Sequence, residues 1–166
     1  MAKITFKGSE CNTCGTLPEK GTVAPDFVLT DGELADKKKG DFAGYRLILN
    51  VFPSVDTSVC ATTVRRFNEE AAALSNTVVL CVSMDLPFAQ ERFCAADGIE
   101  NVQTLSAFRS RGFGEDYGVR IVDGPLSGLF ARALIGLDES GTVIYTQQVA
   151  EIAQEPDYRE ALDAVT

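Results

Sequence analysis

Leu47-Ile48-Leu49-Asn50-Val51-Phe52-Pro53-Ser54-Val55-Asp56-Thr57-Ser58-Val59-Cys60 is the stretch on which the fold turns. The apolar run 47–52 reads as a buried strand, and Pro53 stops it because proline has no N–H to continue a ladder. After a polar turn, apolar residues recur at Cys60, Val64, Phe67, Ala71 and Leu74. Steps of four and three are the period of a helix with one buried face. The unit is therefore strand, turn and helix, with Cys60 in the first turn. A thiol there is placed to be a nucleophile, since the positive end of a helix favours the thiolate that does the attacking. A buried core cysteine fits Cys60 alone equally well.

Outward from this unit, residues 3–6 read as a short strand and Cys11–Gly15 as a turn or the start of a return strand. Residues 21–29 form an extended segment, followed by a polar loop to Gly44. The β-branched run Thr77–Ser83 is a strand covered on both faces. Pro87 suits the first position of a second helix that ends at Asp97-Gly98, with Ala89, Phe93 and Ala96 on one side and Cys94 beside them. A short strand over 101–105 precedes a Gly-rich, partly helical stretch, 108–118. Residues 132–137 and 142–145 then form a hairpin about Asp138–Gly141. Pro156 begins a last helix with Tyr158, Leu162 and Val165 inward. This order predicts a thioredoxin-like α/β fold: a central mixed β-sheet flanked by helices, with an N-terminal β-hairpin extension, as one domain over residues 1–166.

Composition narrows the chemistry. A net charge of −9 opposes nucleic-acid and anionic-membrane partners, which need a positive face. No apolar run reaches the roughly 18 residues of a membrane span, and the N-terminus does not read as a signal peptide, so the cytoplasm is the expected compartment. The chain has five cysteines and no histidine. Cys–His and Ser–His catalysis and His-containing metal sites are thereby excluded. Neither a cofactor nor a metal is expected.

The spacing Pro53-x-x-x-Thr57-x-x-Cys60 resembles that of the peroxiredoxins. The likeness continues through Asn76–Gln90 to Arg92-Phe93-Cys94, and resumes at 123–126, 131–133 and 155–158. Leu86-Pro87-Phe88-Ala89-Gln90 followed by Arg92-Phe93-Cys94 is specific to the atypical two-cysteine thiol peroxidases of bacteria, a branch that the chain resembles along nearly its whole length. The resemblance implies that Cys60 is the peroxidatic cysteine, with Thr57 and Pro53 forming its pocket. It also implies that Arg132 polarises the peroxide and that Cys94 is the resolving cysteine. The implied substrates are hydrogen peroxide and alkyl hydroperoxides, the implied reductant is thioredoxin, and the implied assembly is a homodimer. Sulfenic acid at Cys60 is then expected to condense with Cys94 to a disulfide. Two thiols on separate helices need not meet disulfide geometry, so the first turn after Cys60 is expected to unwind, or the Cys94 segment to shift, in each cycle. The Thr57 hydroxyl is expected to hydrogen-bond near the sulfur.

Without the resemblance, Arg132 reads more readily as an ordinary edge residue, and Cys94 can be read as a packing residue; Cys81 reads as core. Cys11-x-x-Cys14 departs from the family pattern. It is readable as a peripheral pair, an auxiliary redox or intersubunit pair, or half a metal site. Two rivals remain at this point: a disulfide oxidoreductase working through Cys11 and Cys14, and a redox sensor working through Cys60 and Cys94.

Overall fold

The computed structural model describes residues 1–110 and 112–166. Strands β1 (Lys3–Phe6) and β2 (Ser9–Asn12) form an antiparallel hairpin. Lys7 and Gly8 turn it, both at positive φ (50° and 83°), the twist that suits a two-residue connection. The return strand thus contains Cys11 and stops short of Cys14.

The end of the extended segment pairs as a short strand, β3 (Val28–Thr30), and the segment expected as a polar loop holds a second, β4 (Asp36–Lys38), and a 3-10 turn, Lys39–Phe42. The Asp31 carboxylate makes the bend between the strands by accepting the N–H groups of Glu33 and Ala35, both at 2.9 Å. β4 reads Asp-Lys-Lys because it is a sheet edge, where lysine discourages further pairing.

The opening strand is β5 (Arg46–Val51). It is followed by α1 (Ser58–Ala71), β6 (Thr77–Ser83), α2 (Pro87–Asp97) and β7 (Gln103–Ser106). β5, β6 and β7 pair in parallel, as strands joined through helices must. A short helix α3 (Phe113–Asp116) lies in the Gly-rich stretch, whose residue 111 is outside the described residues. The hairpin is β8 (Ala133–Leu137) and β9 (Val143–Gln148), with β8 antiparallel to β5. The seven-stranded sheet runs β4-β3-β7-β6-β5-β8-β9, and α4 (Tyr158–Val165) closes the chain. This mixed sheet flanked by helices is a thioredoxin-like fold.

Alternation along β5 sends its side chains into two cores. Leu47, Leu49 and Val51 join Leu29, Phe113, Tyr117 and Phe130 on one face. Ile48 and Phe52 join Cys60, Val64, Phe67, Cys81 and Tyr158 on the other, beneath α1 and α4. Three helix details differ from expectation. α1 ends at Ala71, so Leu74 packs from the connection beyond it. α2 turns Pro87 and Gln90 inward while Ala96 is exposed, because Gln90 Nε2 reaches Ser83 Oγ (3.2 Å) and Leu105 O (3.0 Å). α4 starts at Tyr158, two residues after Pro156, with Asp157 capping the Glu160 N–H at 3.0 Å.

Candidate active site

Pro53 is buried just past the end of β5, at the base of the loop that delivers α1. Asp85, in the connection after β6, holds that loop: its carboxylate accepts Ser54 Oγ (2.7 Å), the Val55 N–H (2.8 Å) and Ser83 Oγ (2.7 Å). The sequence reading did not single out Asp85, because a lone aspartate between strand and helix looks like any turn residue. Thr57 occupies the N-cap position in extended conformation without capping the helix. Its hydroxyl donates to Ser54 O at 3.0 Å, not to the sulfur, which corrects the expected bond. With the proton spent there, the Thr57 oxygen is left as an acceptor. Helix geometry leaves the N–H groups of Ser58, Val59 and Cys60 without intrahelical partners, so the start of α1 is electropositive beside the thiol.

Arg132 immediately precedes β8 and is 1% exposed. Its Nε donates to Ile152 O at 2.8 Å and its Nη2 to Cys60 Sγ at 3.2 Å. Nη1 is buried and has no hydrogen-bond partner among the described residues. No carboxylate within the described residues forms an ion pair with this guanidinium. A buried cation without a counter-charge is costly and is retained where chemistry needs it. The side-chain acceptor its guanidinium reaches among the described residues is the Cys60 sulfur.

A cavity of about 190 Å³ opens on Arg132, lined by Phe6, Lys7, Pro53, Thr57, Ser58, Val59, Leu126, Arg132, Ile152 and Ala153; the Cys60 sulfur lies behind it, bonded to the guanidinium. Its lining is mostly apolar, with Arg132 and the Thr57 oxygen as the polar features at the reactive end. At roughly 30 Å³ per liquid water, the space holds a small organic molecule. Three larger open clefts lie elsewhere: about 430 Å³ beside Phe27 and Arg109 and about 340 Å³ beside Arg46 and Glu139, neither with a thiol, and about 510 Å³ beside Cys94. Phe6, Lys7, Leu126 and Ile152 were missed as pocket residues, since they come from three distant segments and carry no local signal.

Cys94 lies on α2, half-buried, with its sulfur 3.6 Å from Thr104 Oγ1. Burial raises its thiol pKa, and Glu91 and Asp97 raise it further against the Thr104 bond. All five cysteines are free, and Cys60 and Cys94 sit on separate intact helices packed into the same core. Cys81 is fully buried in β6, and burial pushes its thiol up to about 12, which leaves it inert as a nucleophile near neutrality.

Cys11 and Cys14 do not form a pair. Cys11 packs with Ile4, Ile121, Ala131 and Ile152 beneath the hairpin, whereas the Cys14 thiol donates to Gly114 O at 3.3 Å. Three residues of extended chain separate their Cα atoms by about 10 Å, beyond the roughly 7 Å limit for a disulfide. Burial is the leading cause of a raised pKa at both. The double variant Cys11→Ala/Cys14→Ser should stay within about twofold of wild type in a steady-state peroxide assay run with a thioredoxin system as the reductant. A larger loss would restore an auxiliary redox role.

The Redoxin family model matches residues 19–162. The chain is 57% identical to the thiol peroxidase of Mycobacterium tuberculosis (strain ATCC 25618 / H37Rv) over 165 residues, 99% of each chain. It is 56% identical to the Corynebacterium glutamicum thiol peroxidase over the same span and coverage. Among solved structures, a peroxiredoxin-like protein from Aquifex aeolicus matches with a TM-score of 0.94 at 39% identity, covering 99% of this chain and 96% of that one. The chain belongs to the Redoxin family. Within that family it is a peroxidase of the peroxiredoxin type, and its activity depends on thiols.

Proposed function

We propose that Cys60 is the thiol that attacks the hydroperoxide. The observation that carries this is the Arg132 guanidinium, bonded to the Cys60 sulfur through Nη2 and holding Nη1 buried without a partner beside an apolar pocket. An incoming hydroperoxide supplies what Nη1 lacks. Its O–H donates to the Thr57 oxygen, Arg132 bonds its oxygens, and Pro53 closes one wall. The sulfur attacks the near oxygen; an S–O bond forms as the O–O bond breaks. The departing oxygen takes the electron pair, is stabilised by Arg132, and leaves as water or an alcohol carrying the proton that the Cys60 thiol gives up. Cys60 becomes a sulfenic acid. The Cys94 sulfur attacks it, an S–S bond forms, and the hydroxyl leaves as water. Thioredoxin then reduces the disulfide by dithiol exchange.

The second step requires movement. α1 lacks a side-chain cap, a bond otherwise worth about 1 kcal/mol, so its first turn is the weaker end and is where unwinding brings Cys60 toward Cys94. The same reading takes residues 1–166 as one domain acting as a homodimer in the cytoplasm on hydrogen peroxide and alkyl hydroperoxides. No helix among the described residues is long and apolar enough to cross a membrane. Cys94→Ser tests the cycle: it should consume one equivalent of peroxide per chain rapidly and then stall with thioredoxin as the reductant. Sustained wild-type turnover by that variant would remove Cys94 from the cycle.

A further inference from the structure

The guanidinium that meets Cys60 is steered by a backbone carbonyl, and that carbonyl lies in a connection. Ile152, whose O accepts from Arg132 Nε at 2.8 Å, sits between β9 and α4, where the only sheet pairing among the described residues is an isolated bridge between Thr5 and Glu151. The N-terminal hairpin orders this segment. The Thr5 N–H donates to Ala150 O at 2.8 Å, and the Ile152 N–H to Thr5 O at 2.9 Å. The Glu151 carboxylate completes the seam. Its Oε2 accepts Thr5 Oγ1 (2.6 Å) and the Gly8 N–H (3.2 Å), while Oε1 accepts the N–H groups of Lys7 (2.9 Å) and Ala153 (3.0 Å).

Two further observations point the same way. Lys7 is a non-glycine residue at φ 50°, a conformation that persists where the surroundings over-determine it. Glu151 does that by gathering the N–H groups of both turn residues. Of the residues this carboxylate bonds, Lys7 and Ala153 are walls of the peroxide cavity, as are their chain neighbours Phe6 and Ile152. The donors hold the Glu151 carboxyl down to about 2, the Thr5 hydroxyl contributing most, so the clamp stays ionised at working pH.

We propose that Glu151 is a positioning residue for peroxide reduction, clamping the Lys7–Gly8 turn to the 151–153 segment so that the Ile152 carbonyl keeps Arg132 aimed at Cys60. This gives the hairpin, which precedes the Redoxin match, a part in the chemistry; it rests on the roles proposed for Cys60 and Arg132. Steady-state kcat/KM for hydrogen peroxide, measured on Glu151→Ala, Glu151→Gln, Arg132→Lys and Glu151→Ala/Arg132→Lys, tests it. Glu151→Ala should lose on the order of 10-fold to 100-fold, the scale set by an ångström of misplacement. Glu151→Gln, which keeps one carbonyl acceptor, should lose less. In the Arg132→Lys background, Glu151→Ala should cost almost nothing more, a non-additivity that a merely structural residue does not produce. If Glu151→Ala fails to fold, Glu151→Gln must show the same non-additivity. A loss within twofold for Glu151→Ala, or one that adds in full on Arg132→Lys, overturns the clamp. Cys60→Ser in parallel separates the two readings: retained turnover there overturns the role of Cys60 itself, and lost turnover there with a neutral Glu151→Ala overturns the clamp alone.

Discussion

Cys60→Ser is expected to lower peroxide turnover by at least about 10,000-fold, because a serine hydroxyl in this site has no base to ionise it and the chain has no histidine to supply one. The remaining machinery then has nothing to act with. Cys81→Ser is the matched control: its sulfur is also fully buried, and burial already keeps that thiol protonated. It should retain turnover. Following peroxide loss with a thioredoxin system on both variants reads the contrast directly. Wild-type turnover by Cys60→Ser would shift the chemistry to another thiol and revive the Cys11/Cys14 oxidoreductase reading.

Arg132→Met should reduce kcat/KM for hydrogen peroxide by roughly 100-fold to 1,000-fold, the usual loss when a preorganised donor to developing negative charge is removed. The substitution deletes the bond to the Cys60 sulfur and the Nη1 donor together, while methionine fills a similar volume. The thermal midpoint should not fall in step. An unpaired buried cation is no asset to stability, and replacing buried charge with apolar volume is often neutral or stabilising. A large loss of activity with a preserved melting temperature places Arg132 in the chemistry. A large loss of stability with residual activity near wild type would make it a structural residue instead.

The parts legible in the sequence were those carried by strong periodicity. β5 announced itself as an unbroken apolar run, and α1 as the Cys60–Val64–Phe67 stripe, all three of which are buried. β4 was not legible, and β3 read only as the end of an extended segment. Each has three residues, and the edge position of β4 selects lysine and aspartate, which read as loop. Along α2, Phe93 and Cys94 pack on the core as their stripe implies, whereas Ala96 is exposed and Gln90, paired to Ser83 and Leu105, is turned inward.

At the site, the thiol and the arginine were readable from spacing and resemblance, but the groups that hold them were not. Asp85 fixes the loop before α1 from 30 residues away, and Glu151 meets Lys7 across 144. Contacts of that separation leave no local pattern. Nor could the sequence tell that the Thr57 proton is turned toward Ser54 O, which leaves the hydroxyl oxygen as an acceptor.

The sulfur hydrogen-bonded to Arg132 is the one that peroxide is expected to oxidise. Treating reduced Cys94→Ser protein with one equivalent of hydrogen peroxide in the presence of dimedone, then mapping the adduct by peptide mass spectrometry, tests it most directly. A dimedone adduct confined to Cys60 is the predicted result; an adduct on Cys11, Cys14 or Cys81 with Cys60 unmodified would contradict it.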